Sequence, residues 1–267
     1  MKRNLKRKTI GLALGSGGAR GLAHIGVIKI LEKHHVPIDL IAGTSMGAAI
    51  AAHYSLFRDV KKLEQITLEF RRRDTIRLID LNNPQRSMIR GQKIREFLID
   101  RLGEATFNDV KIPLRIGATA LEDGRSVVFR SGKLVDAIMA SGAIPGIFPP
   151  VKYRGRHLVD GALTDATPVD LVAEMGAEVI IAVDLFVLER FNKKPLTMLH
   201  VVNRSYAILM DSLVKYSTKE YGDNIVVIKP NTGRRMQTFN FHKGKEMIRA
   251  GEIAANSQIK RIKKLIC

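Results

Sequence analysis

Two short apolar runs, Thr9–Gly15 and Ile38–Ala42, each lead into a glycine-rich turn and then into a helix-like stretch, all within the first 57 residues. Runs this brief suit strands buried on both faces better than helices. The first turn, GSGGARG, is followed by a mostly apolar stretch with Leu22, Ile25, Ile28, Ile30 and Leu31 that ends near His34–His35, before Pro37. The second, GTSMG, opens a helix through Ala48–Phe57. Two strand–turn–helix units in succession predict an α/β chain: a three-layer α/β/α arrangement with a mostly parallel central sheet covered on both faces.

The alternation then breaks. Residues 58–105 carry scattered arginines and lysines among acids and apolar residues, and read as helices and loops laid over the sheet, a cap beside any site there. Strands resume at Leu114–Ala120 and Ser126–Arg130, with a helix at Leu134–Ala140. After the loop SGAIPGIFPPV, Val151–Tyr153 and His157–Val159 read as arms of a hairpin. A helix at about Pro168–Met175, a strand at Glu178–Leu185, a long helix around Thr197–Lys215, a strand at Ile225–Ile228 and a basic helix from about Lys243 to Leu265 complete the pattern. With no repeat and no low-complexity linker, residues 9–267 are expected to form one domain behind a basic tail, residues 1–8. The opening MKRNLKRK followed by TIGLALG has the outline of a secretory signal, but the apolar part is only seven residues long and no small-x-small site follows, so a tail and a first strand are expected.

Charge is the unusual part of the composition. Forty-four Lys and Arg against 26 Asp and Glu give +18, which draws a protein towards polyanions. Aromatic content is 6% and no nucleic-acid-binding motif is visible, so no specific nucleic acid is expected as a partner. The alternative partner is an anionic membrane surface. From Lys229 to Lys264 ten basic residues face two acids, and Ile248, Ile259, Ile262 and Leu265 recur at helical spacing. A docked helix with a solvated basic face is the plainer reading, and peripheral attachment to anionic lipid the sharper one. A single cysteine, Cys267, excludes an internal disulfide framework and a CxxC zinc site. The expectation is a reducing, cytoplasmic setting with no metal, no cofactor and no transmembrane helix, and with membrane association at most peripheral.

Three constellations carry chemistry. Gly43-Thr44-Ser45-Met46-Gly47 is a G-x-S-x-G pentapeptide between an apolar run and a helix, the context a nucleophilic serine needs, because side chains at Gly43 and Gly47 would collide across the bend. Gly15-Ser16-Gly17-Gly18-Ala19-Arg20-Gly21 has two readings. One is a phosphate or dinucleotide cradle, which would make the chain a nucleotide-dependent oxidoreductase, although G-x-G-x-x-G is not matched and Asp39 precedes its strand. The other is an oxyanion hole with Arg20 adding positive potential. Asp160-Gly161-Ala162 places a carboxylate at the end of a strand-like HLV beside residues that permit close backbone approach. A Ser-His-Asp triad would need one of seven histidines, His24, His34, His35, His53, His157, His200 and His242; His24 and His53 sit within apolar helix sequence, and His200 and His242, late enough for the serine–acid–histidine order, lie in no recognisable loop motif.

In this order, GSGGARG, GTSMG and DGA resemble the three signature blocks of the patatin-like phospholipases, and SGAIPGIFPPV is similar to the same family. The blocks span Gly15 to Ala162. The resemblance implies a lipid acyl hydrolase of phospholipase A or lysophospholipase type, with an acyl-ester substrate. It also implies a serine–aspartate dyad without histidine: Ser45 the nucleophile, Asp160 taking and returning its proton, the Gly17 and Gly18 N–H groups forming the oxyanion hole, and Gly15, Ala19, Arg20, Gly21, Gly43, Gly47 and Gly161 supporting them. Ser16 and Ala166 depart from it, standing where many members carry glycine and asparagine. A weak carboxylate base suits alkoxide leaving groups better than amines, so ester hydrolysis with little amidase activity is expected. The two rivals are the oxidoreductase, which leaves GTSMG and DGA unexplained, and a non-catalytic polyanion-binding protein.

Overall fold

The computed structural model describes residues 7–83, 87–186, 197–233 and 239–266, apart from the side chains of residues 199, 200 and 203. Residues 1–6 of the expected basic tail and the side chain of His200 lie outside the described part. The elements, in order, are β1 (Ile10–Leu14), α1 (Ala23–Lys33), β2 (Leu40–Thr44), α2 (Met46–Phe57), α3 (Val60–Glu69), α4 (Arg72–Leu78), α5 (Gln92–Leu102), β3 (Leu114–Ala120), β4 (Ser126–Phe129), α6 (Leu134–Ser141), β5 (Val151–Tyr153), β6 (Arg156–Asp160), α7 (Val169–Glu174), β7 (Val179–Val183), α8 (Met198–Lys219), β8 (Ile225–Ile228) and α9 (Gly244–Ile266), with short 3₁₀ turns at Gly18–Leu22 and Gly161–Leu163.

The sheet is mixed. β3, β2, β1, β7 and β8 run parallel in that order, while β4, β6 and β5 join antiparallel at the β3 side. The parallel strands are buried on both faces, and alternation sorts their side chains. Ile10, Leu12 and Leu14 of β1, Ile41 of β2, Ile181 and Val183 of β7, and Val226 and Ile228 of β8 point into the core under α1, α2 and α9. Ala13, Ala42, Ile180, Ala182 and Ile225 point the other way, onto Val169, Leu171 and Val172 of α7. Small residues dominate this second face, and a Cβ on Gly11 would stand 2.8 Å from the Val172 Cβ, so α7 lies close to the strands.

α9 is docked against α1. A Cβ on Gly26 would come within 1.9 Å of the Ile248 carbonyl, and one on Gly251 within 1.9 Å of the Ala23 carbonyl, so the two backbones nearly touch. Met247, Ile248, Ala255, Ile259 and Ile262 are buried there, leaving Lys260, Arg261, Lys263 and Lys264 exposed. The plainer reading of the basic helix describes this packing. Strand β2 begins two residues later than its apolar run and extends to Thr44. Asp39, just before it, is held by Arg7 (2.6 and 2.7 Å) and by the Ile10 N–H (2.8 Å), and that bidentate pair keeps its carboxyl below the usual aspartate range. Asp39 is thus a clamp on the start of β1 and does not point at a ribose site.

Candidate active site

Register explains how two residues 115 positions apart meet. Gly117 of β3 pairs with Thr44 on one side and Val128 on the other, and Ala118 pairs with Val127 and with Asp160. Because β4 pairs with Ile116–Thr119 on one edge of β3, β2 (over Leu114–Gly117) and β6 (over Ala118–Ala120) share the opposite edge. They approach from opposite directions and stop at adjacent rungs. Ser45 leaves the end of β2 and Asp160 closes β6, so the Ser45 Oγ donates to Asp160 Oδ2 at 2.7 Å.

Ser45 turns sharply from strand to helix with φ 56° and ψ −121°, outside the basins an L-residue prefers, which stores about 1–3 kcal/mol of strain. The bend brings its neighbours into backbone contact. A Cβ on Gly43 would lie 2.5 Å from the Gly47 carbonyl, and one on Gly47 would lie 2.0 Å from the Leu14 carbonyl. Neither obstacle can rotate away. Gly47→Ala is therefore expected to lower stability by about 3 kcal/mol, a fall in Tm of roughly 8 °C by calorimetry; an unchanged Tm would mean that the turn is looser than described.

Asp160 is 1% exposed. Its Oδ1 accepts from the Ala162 N–H (2.9 Å), its backbone N–H donates to the Ala143 carbonyl (2.9 Å), and its own carbonyl accepts from Thr119 Oγ1 (3.0 Å). Burial pushes the carboxyl up to about 6, against the Ala162 N–H and the Ser45 hydroxyl, which favour the anion. Gly161 lets the chain turn immediately afterwards: a Cβ there would sit 2.3 Å from the Gly117 carbonyl.

The first glycine loop lies beside this pair. Its Gly15 and Ser16 N–H groups are engaged by the Val183 and Ala166 carbonyls (3.1 and 2.8 Å). Among the described residues no hydrogen bond engages the N–H of Gly17 or Gly18, and Gly18 lines the same cavity as Ser45. Ala166 braces the loop through its main chain, so that support needs no side chain at the position. Ala19 is buried, and the Arg20 guanidinium lies 5.3 Å from the centre of the Phe186 ring. Gly21 abuts the residue after the serine, since a Cβ there would meet the Met46 side chain at 2.2 Å.

Histidines stand apart. His24 is fully buried with Nε2 2.7 Å from the Gly15 carbonyl, and burial lowers its pKa to about 4. His53, lowered to about 4 mainly by burial, packs at a tilt against Phe57 (ring centres 4.7 Å apart) along the cavity wall. His157 bonds Glu122 at the surface (2.9 Å). Among the described residues no imidazole hydrogen-bonds Ser45, and no cluster of His, Cys, Asp and Glu could hold a metal ion. Above the serine opens a cavity of about 320 Å³ with almost wholly apolar walls, built from α2, the residues 144–151 and the 58–105 segment, which supplies Leu63, Leu78, Phe97 and Leu98 from its three helices and Phe70 from the turn after α3.

Sequence reasoning missed two partners. Ser141, fully buried on α6, accepts the Ser45 N–H at 2.8 Å and fixes the strained turn, and Thr119 ties β3 to Asp160 and, through a 2.9 Å contact, to Thr164. The SGAIPG block does contain Ser141, but nothing in its residue type marks the role.

Comparisons with known proteins follow the same lines. The family model described as patatin-like phospholipase matches residues 12–173. An uncharacterised NTE family protein of Mycobacterium tuberculosis is 39% identical over 176 residues, covering 66% of this chain and 49% of its own. The lysophospholipase NTE1 of Debaryomyces hansenii is 33% identical over 188 residues, 69% of this chain and 12% of that one. The chain thus spans about half the length of the mycobacterial relative and a small part of the fungal one. In fold it is similar to VipD from Legionella pneumophila (TM-score 0.55, 13% identity, covering 97% of this chain and 67% of that one). The type III effector protein ExoU is similar too (TM-score 0.51, 17% identity, covering 96% and 53%). Over the part of the chain that holds both glycine turns, Ser45 and Asp160, the chain belongs to the patatin-like phospholipase family.

Proposed function

We propose that the protein is a lipid acyl-ester hydrolase of lysophospholipase or phospholipase A type, working through a Ser45–Asp160 dyad. The observation that carries this reading is the 2.7 Å hydrogen bond between the two side chains at the floor of an apolar cavity large enough to take an acyl chain. As Ser45 Oγ attacks the ester carbonyl, its proton passes to Asp160 Oδ2. The N–H groups of Gly17 and Gly18 face the developing oxyanion; a donor of this kind contributes about 10²–10³ in rate. Asp160 returns the proton to the departing alkoxide, leaving an acyl group on Ser45. It then takes a proton from water as water attacks that acyl group, and gives it back to Ser45 Oγ as the fatty acid leaves. Gly15, Ala19, Arg20, Gly21, Gly43, Gly47 and Gly161 hold the backbones that make this approach possible.

A fluorophosphonate is expected to label one residue per chain, mapped to Ser45 by mass spectrometry, and a lysophospholipid and simple esters to be turned over while the matching amides are not. Labelling elsewhere, or peptide cleavage that vanishes in Ser45→Ala, would overturn the reading.

A further inference from the structure

Along part of the 58–105 segment, residues that line the cavity are interleaved with residues exposed to solvent. On α4 and just beyond it, Thr75, Leu78 and Ile79 line the cavity, while Ile76 (64% exposed) and Arg77 turn to solvent. On the stretch that returns to bridge Leu81, Ile89 lines the cavity and its neighbour Met88 (64% exposed) turns out, while Arg90, exposed and also lining the cavity, stands at its rim. The outer face therefore carries bare aliphatic groups set among arginines. The acids beside it already have donors: Asp74 Oδ2 accepts from the Arg71 N–H (2.8 Å), Asp80 accepts from the Gly91 and Gln92 N–H groups (2.9 and 2.8 Å), and Glu69 accepts from Gln65 Nε2 (2.8 Å). Arg77 comes no nearer Asp74 than 3.8 Å, too long and too exposed to neutralise it.

We propose that this face, with Ile76, Arg77 and Met88 at its centre and Arg90 at the cavity rim, seats the protein on an anionic bilayer and places the wall of the acyl cavity against the lipid. Apolar side chains beside a basic cluster match the acyl–headgroup boundary of a leaflet, where aliphatic groups enter the hydrocarbon edge and each cation near the surface gains from the anionic headgroups. A second copy of the chain fits worse, because a self-complementary interface would set the arginines of one copy against those of the other. The exposed aliphatic residues of α8, such as Leu209 (60% exposed), do not flank the cavity: among the described residues none of α8 lines it. The inference rests on the acyl-ester reading for its purpose, and its test is independent of turnover.

The test is sedimentation of the Ser45→Ala protein, which needs no catalysis, with vesicles of phosphatidylcholine alone or mixed with phosphatidylglycerol. Partition into the anionic vesicles is expected to be at least about tenfold stronger and to weaken with added salt. Ile76→Glu, Met88→Glu and Arg77→Glu should each lower it roughly tenfold. In the chain with Ser45 intact, the same substitutions should leave hydrolysis of a water-soluble short-chain ester unchanged, which also shows that the variants are folded. Equal partition into both vesicle types, unchanged partition in all three variants, or loss on Leu209→Glu and Tyr216→Glu of α8 instead, would overturn the proposal. If the Ser45→Ala protein partitions as expected while the Ser45 chain hydrolyses no ester, the docking surface stands and the catalytic reading falls.

Discussion

Ser45→Ala is expected to lower ester hydrolysis by about 10⁴-fold or more while the chain stays folded, because the hydroxyl is the only group of the proposed dyad that can bond to the acyl carbon. The backbone strain persists in this variant, and the main-chain N–H at the same position keeps its bond to Ser141. What disappears is the donor to Asp160 Oδ2, which favours the anion. Steady-state assays with a short-chain ester, alongside circular dichroism, check this. Activity within tenfold of the parent would mean that another nucleophile is at work.

Asp160→Asn has two consequences of opposite sign. Catalysis should fall by about 10⁴-fold, because an amide cannot take the serine proton. In the parent, kcat/KM should rise tenfold per pH unit below about 6 and level off above it, since only the ionised carboxyl accepts the proton. Stability runs the other way. Burial raises the Asp160 pKa from 3.8 when unfolded to about 6 when folded, so the fold favours the protonated form. That contribution is complete below pH 3.8 and is lost as pH rises through about 6; the shift of about 2 units corresponds to about 3 kcal/mol. The substituted amide does not titrate and keeps an oxygen for the Ala162 N–H. Measured against the parent, Asp160→Asn should therefore gain stability between about pH 4 and about pH 7, by roughly 8 °C in Tm. A Tm difference that does not change with pH would show that the carboxyl is not desolvated.

Much of this arrangement is legible in the residues. Short apolar runs ending in glycine announce β1 and β2, because a strand buried on both faces needs apolar side chains at every position and a tight exit needs glycines such as Gly47, pressed on the Leu14 carbonyl. Spacing says less about Asp160. A hairpin can be read around Arg154-Gly155, but that its second arm joins β3 antiparallel, on the edge β2 has just vacated, depends on long-range register that no local pattern encodes. Family resemblance paired the two residues where chain separation could not. The oriented hydroxyls of Ser141 and Thr119 escape notice for another reason: serine and threonine occur throughout surfaces and helices, and only the tertiary fold gives these two a partner.

Two strands that abut head to head along a shared neighbour leave no slack between them. Removing one residue from β6 would draw the carboxylate back by about 3.3 Å and, because side chains alternate, swing it to the opposite side of the sheet. Adding one to β2 would do the same to the hydroxyl. Length variation among related chains can therefore accumulate in the bends that feed these strands, whereas the strands themselves must be copied residue for residue, as a vernier must keep its zero.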